Sequence, residues 1–123
     1  MSTDYTLKLT REAMRPVNEW LLQRTSVRDV DGGALFPNLS VRALPPFIAD
    51  PKRQIDGWGI VAKTDVSFMV QDDTLGEDRE EGRVRALAEQ IVRLVGGEAV
   101  LFVDEEAEIA RWRAQDEHAA AAK

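Results

Sequence analysis

The side chains most able to do chemistry in this 123-residue chain are its carboxylates, 22 of them against 16 lysines and arginines. The run Asp72-Asp73-Thr74-Leu75-Gly76-Glu77-Asp78-Arg79-Glu80-Glu81 holds six acids and one arginine. A second run, Asp104-Glu105-Glu106-Ala107-Glu108, holds four more. Acids this close in sequence could ligate a divalent cation, work as the paired carboxylates of a glycosidase, or present a negative field to a cationic partner. The first run precedes a helical pattern, where the macrodipole favours acidic residues with no metal involved. The chain is also short for a sugar-binding cleft. Asp29-Val30-Asp31-Gly32 starts like a calcium loop but lacks the third oxygen position, the glycine register and the closing bidentate glutamate. No metal is expected.

Nucleophilic catalysis finds no better footing. The single histidine, His118, sits in an alanine-rich C-terminal stretch, and there is no cysteine to supply a thiolate or a zinc ligand. Gly-x-Ser-x-Gly, P-loop and Gly-x-Gly-x-x-Gly patterns are missing, and Gly57-Trp58-Gly59 reads as an aromatic turn. The sequence therefore predicts no catalytic residue and no cofactor.

What remains is binding. Residues 1–63 carry nine Lys/Arg against seven Asp/Glu, whereas residues 64–123 carry seven against fifteen. Like charges held together repel, so their concentration has a stability cost unless salt screens it. Such a surface complements a cationic protein, raising association rate and selectivity. It argues against nucleic acid or an anionic membrane as the partner of the second half. Trp58, between two glycines, is the other binding candidate, because tryptophan is favoured at interface hot spots.

The elements that must position these residues follow from periodicity. Tyr5, Leu7 and Leu9 alternate with polar residues and predict a half-buried strand with Lys8 on its wet side. A helix is expected from Arg15 to Arg24, with Pro16 tolerated in its first turn. Residues 29–38 read as loop, and Leu39, Val41 and Ala43 as a second strand. Pro45–Gly59 is the least regular segment. Ile60 to Val70 keep one period-two phase, which predicts either a bent strand or a hairpin turning at Lys63-Thr64-Asp65. The bent strand is favoured, because a two-residue turn normally wants Gly or Asn. Val84, Leu87, Ala88, Ile91, Leu94 and Val95 form the stripe of an amphipathic helix closed by Gly96-Gly97. Ala99–Val103 predicts a central strand, and 107–115 a short helix with Ile109 and Trp112 inward. The order gives an α+β fold: an antiparallel sheet with two helices on one face (βαββαβ, ferredoxin-like order) plus a short C-terminal helix. One domain is expected over 1–117, with 118–123 as a frayed tail. No apolar run approaches the ~18 residues of a membrane span. MSTDYTLKLT lacks the basic start and apolar stretch of a secretory signal, so a cytoplasmic location is expected.

The opening Tyr5-Thr6-Leu7-Lys8-Leu9, the Val66-Ser67-Phe68-Met69-Val70 strand and the closing Gly97-Glu98-Ala99-Val100-Leu101-Phe102-Val103-Asp104-Glu105 resemble the immunity proteins of swarm-inhibition polymorphic toxins. The likeness covers the first strand and roughly residues 58–113, with Glu98 where the group's pattern has aspartate. It implies a bacterial protein without catalytic residues that binds and neutralises a cognate toxin, as a monomer or homodimer. The expected contact surface is Asp72, Asp73, Glu77, Asp78, Glu80, Glu81, Asp104, Glu105, Glu106 and Trp58, facing a basic toxin. The alternatives are a small-ligand-binding or dimeric regulatory module, and a phage-encoded protein inhibitor.

Overall fold

The computed structural model describes residues 4–30, 32–47, 59–71, 77–104 and 107–113. They form β1 (Asp4–Leu9), α1 (Met14–Arg24), β2 (Ala34–Phe36), β3 (Leu39–Leu44), β4 (Thr64–Val70), α2 (Glu77–Val95), β5 (Ala99–Val103) and β6 (Ala107–Trp112). The fold is α+β: six strands in the order β2-β3-β4-β1-β5-β6, every neighbouring pair antiparallel, with two helices.

Alternation along the strands divides the apolar residues between the two sheet faces. Leu7, Leu9, Val41, Val66, Phe68 and Leu101 point to one face. There they join Val17 and Leu21 of α1 and Val84, Ala88 and Ile91 of α2 in a single core. The second face holds a small separate cluster, in which Ile60 and Ala62 cover Val100 and Phe102 of β5. Fully burying one such side chain contributes roughly 1.5–3 kcal/mol, so the larger cluster dominates the stability.

Three expectations are corrected. The segment 60–70 is neither one bent strand nor a hairpin: β4 begins at Thr64. Ile60 and Ala62 share the period-two phase of Val66 and Phe68, yet they pack on the opposite face of the sheet. The Lys63 N–H donates to the Leu9 carbonyl, steering the chain from one face into the strand. The loop expected over 29–38 contains β2, which pairs with β3 across Pro37-Asn38, with Asn38 at φ 60°.

The third correction concerns the C-terminal helix. Residues 107–112 are strand β6, paired with β5. The register skips a residue there: Phe102 faces Glu108, while Leu101 faces Ala110. An extra residue turns two-residue spacing into three. Glu108 and Arg111 consequently meet at 2.6 Å, and their spacing imitates one helical turn. Residues 114–123, including His118 and the expected tail, lie outside the described residues, as do 48–58 of the irregular segment.

Candidate functional site: the acidic end of the sheet

Strand directions bring the described residues that border the two acidic runs, Gln71 and Asp104, to one end of the sheet. Asp4, at the start of β1, lies opposite Met69 near the end of β4. The Asp104 N–H donates to the Asp4 carbonyl at 2.7 Å, and the Asp4 N–H donates to Asp104 Oδ1 at 3.1 Å. The C-terminal ends of β4 and β5 therefore flank the N-terminal end of β1. From Gln71 the chain runs through residues 72–76 to Glu77, the first residue of α2. From Asp104, at φ 52°, it runs through 105–106 into β6.

The expected contact residues divide accordingly. Asp72, Asp73, Glu105, Glu106 and Trp58 lie outside the described residues. Glu77 and Asp78 are the first two residues of α2. Glu80 is only 6% exposed and is held by Arg83 at 2.7 Å, so it adds charge to this end without offering a contact. Glu81 is half-buried and pairs with Arg85 at 3.3 Å. Asp104 is exposed, with one carboxylate oxygen committed to Asp4.

Arginines mark the other end. There the C-terminus of β1, the end of α2 and the end of β6 come together: the Arg11 guanidinium donates to the Val95 carbonyl, and Ala99 faces Trp112. Arg11, Lys63, Arg93, Arg111 and Arg113 belong to this end, together with Glu12 and with Glu98, whose N–H and C=O meet the Thr10 hydroxyl. A guanidinium at the last turn of α2 satisfies an orphan carbonyl and complements the macrodipole's negative pole.

Sequence reading missed one further site. Lys8 and Asp65 are register partners on β1 and β4, on the second face of the sheet, and are 1% and 5% exposed. Lys8 Nζ lies 2.9 Å from Asp65 Oδ2, which also accepts the Phe47 N–H at 3.1 Å. Asp65 Oδ1 is buried and has no hydrogen-bond partner among the described residues. One residue earlier, the Thr64 hydroxyl points to the core face, donates to the Arg11 carbonyl and accepts the Ala13 N–H. Thr64 and Asp65 together fasten segments crossing both faces of the sheet. Nothing local in the sequence signals this, because Lys8 has the alternation of a solvent-facing residue. Only knowledge that β1 lies between β4 and β5, beneath Ile60 and Ala62, shows that it is buried. A nucleophilic lysine needs a free amine facing a cavity. Lys8 is instead held in an ion pair at this burial, which ties β1 to β4.

Among the described residues no group of three His, Cys, Asp or Glu side chains is close enough to hold a metal ion. No helix among them is long and apolar enough to cross a membrane. Compared with protein-family models, curated proteins and solved structures, the chain has no match.

Proposed function

We propose that this protein is an immunity-type inhibitor that binds a cationic bacterial toxin through the acidic end of its sheet and carries out no chemistry itself. The observation that supports this reading is the joint departure of both acidic runs from the end defined by Asp4, Gln71 and Asp104. Charge gathered at one end steers a partner of opposite sign, and scattered charge would not. The sequence resemblance supplies the partner class, a toxin with a basic surface. In the same reading, β3-β4-β1-β5 and the two helices form a βαββαβ unit of ferredoxin-like order with both helices on one face. The strands β2 and β6 then extend its two edges.

The test has two stages. Capture from the native host with the intact chain as bait, followed by mass spectrometry, identifies the partner, and the expected catch is a basic toxin. Association is then followed by stopped flow at several salt concentrations for the wild type and for Asp72→Lys/Asp73→Lys/Glu81→Lys. The triple variant is expected to associate about tenfold more slowly at low salt, with a flatter salt dependence. An association rate unchanged at low salt overturns the electrostatic role. A captured partner that is not a toxin overturns the immunity assignment and leaves the docking surface standing.

A further inference from the structure

We infer that Asn18 is an edge guard: its carboxamide closes the end of β3 that β2 leaves unpaired against pairing with another β-strand. At that edge of the sheet the two neighbouring strands differ in length. β2 covers β3 only from Leu39 to Val41, with Ala34 opposite Val41 and Phe36 opposite Leu39. β3 continues to Leu44, so its last residues extend beyond their neighbour. In an antiparallel ladder, residues two apart direct their N–H and C=O to the same side. Ala43 therefore turns both of its backbone groups toward the side that β2 has vacated.

Asn18 fills that vacancy. Its Oδ1 accepts the Ala43 N–H at 2.8 Å, and its Nδ2 donates to the Ala43 carbonyl at 3.0 Å. A primary carboxamide has the donor and acceptor of a peptide group in one plane, so the side chain stands in for the next rung of the ladder. The choice of residue fits this role. Asn is a poorer helix former than Ala, and position 18 is inside α1, where nothing about the helix calls for it. Its neighbours on the same side of the helix, Met14 and Leu22, line an open groove of about 400 Å³ with Ala43 and Leu44. Met14 is 37% exposed. Backbone groups left unpaired at a sheet edge are what an incoming strand recognises, and folded proteins protect such edges. The other edge strand carries a different device, the irregularity in β6 at Ile109, which twists and interrupts a ladder.

The experiment combines hydrogen exchange with measurements of mass. In the wild type, the Ala43 amide is expected to exchange as slowly as those of Leu39 and Val41. Free exchange at Ala43 would show that the rung does not exist and overturn the inference, and this arm needs no variant. In Asn18→Ala, far-UV circular dichroism is expected to stay native. Light scattering coupled to size-exclusion chromatography should then show a mass rising with concentration toward about twice that of the wild type or more. The Ala43 amide should exchange about tenfold faster when the variant is dilute and become protected again as it associates. Edge pairing predicts that re-protection, whereas aggregation through partial unfolding would instead lose protection at Leu7 and Phe68. Asn18→Ser, too short to reach both groups of Ala43, gives the same reading if the alanine variant does not fold. A natively folded Asn18→Ala or Asn18→Ser that keeps the wild-type mass at every concentration overturns the proposal.

Discussion

At the scale of single residues, Lys8 and Asp65 hold the largest electrostatic stake in the fold. Removing water from two charges costs several kcal/mol per ion, and the pair repays this only while both members are present. Lys8→Ala leaves the Asp65 carboxylate buried, with the Phe47 N–H as its remaining described donor. It should destabilise the protein by about 3–5 kcal/mol in urea unfolding. Replacing both partners, Lys8→Met with Asp65→Leu, should restore stability to within about 1 kcal/mol of the wild type or exceed it. A single variant that costs no more than the double would show that the buried charge is compensated by something other than its partner. Thr64 makes a second prediction, from hydrogen bonding alone. Thr64→Val keeps the shape and removes a hydroxyl that satisfies both the Arg11 carbonyl and the Ala13 N–H at the entrance of α1. A loss of about 1–3 kcal/mol is expected, and an unchanged urea midpoint would mean that water reaches those groups. Neither site was legible in the sequence. The polar side chains of Lys8, Thr64 and Asp65 become informative only once strand neighbours are known, because their partners lie far away in the sequence, from 18 positions for Phe47 and Asp65 to 57 for Lys8 and Asp65.

Among the elements, legibility followed the length of the pattern. The stripe Val84, Ala88 and Ile91 repeats often enough to define α2, and these residues are buried as expected, although Leu94 turns outward and Val92 takes its place. The three residues of β2 are too few to show any period, and one extra residue in β6 gave a strand the spacing of a helix. The glycines of α2 show how position decides the sign of an effect. Gly82 lies inside the helix with nothing within 4 Å of where a Cβ would be. Gly82→Ala should therefore stabilise by about 0.5–1 kcal/mol, through lower backbone entropy in the unfolded chain. Gly97, just past the helix, has φ +80°, and a Cβ there would lie 2.9 Å from Thr10 Oγ1 and 3.1 Å from Arg11 Nε. Both side chains are engaged, the Thr10 hydroxyl with Glu98 and Arg11 through Nη1 with the Val95 carbonyl. Gly97→Ala should cost about 1–3 kcal/mol. Thermal unfolding of the two variants beside the wild type checks both, and shifts of the same sign would refute the reading of one position.

For the whole molecule, the proposed function turns on how charge is placed along the strand axis. The acidic runs were legible as sequence, whereas the meeting of the strand ends that border them, at Gln71 and Asp104, was not, because it depends on β1 running antiparallel between β4 and β5. A net charge of −6 alone would attract a cation from any direction. Under the proposed function, an acidic end opposite a basic one would instead orient the encounter, and that difference can be measured. Arg93→Glu with Arg113→Glu makes the protein more acidic overall while altering only the end distant from Asp4 and Asp104. If net charge controls capture of a basic partner, this variant associates faster than the wild type at low salt. If the polarity of the molecule controls it, the added negative charge offers a second, unproductive approach. The association rate then stays within about twofold of the wild type or falls, even as the net charge becomes more favourable. Asp72→Lys/Asp73→Lys/Glu81→Lys, which shifts the net charge the other way at the acidic end, should slow association under both accounts. The arginine variant is therefore the discriminating one, and a clear rate increase from it would show that capture depends on total charge and not on where the sheet places it.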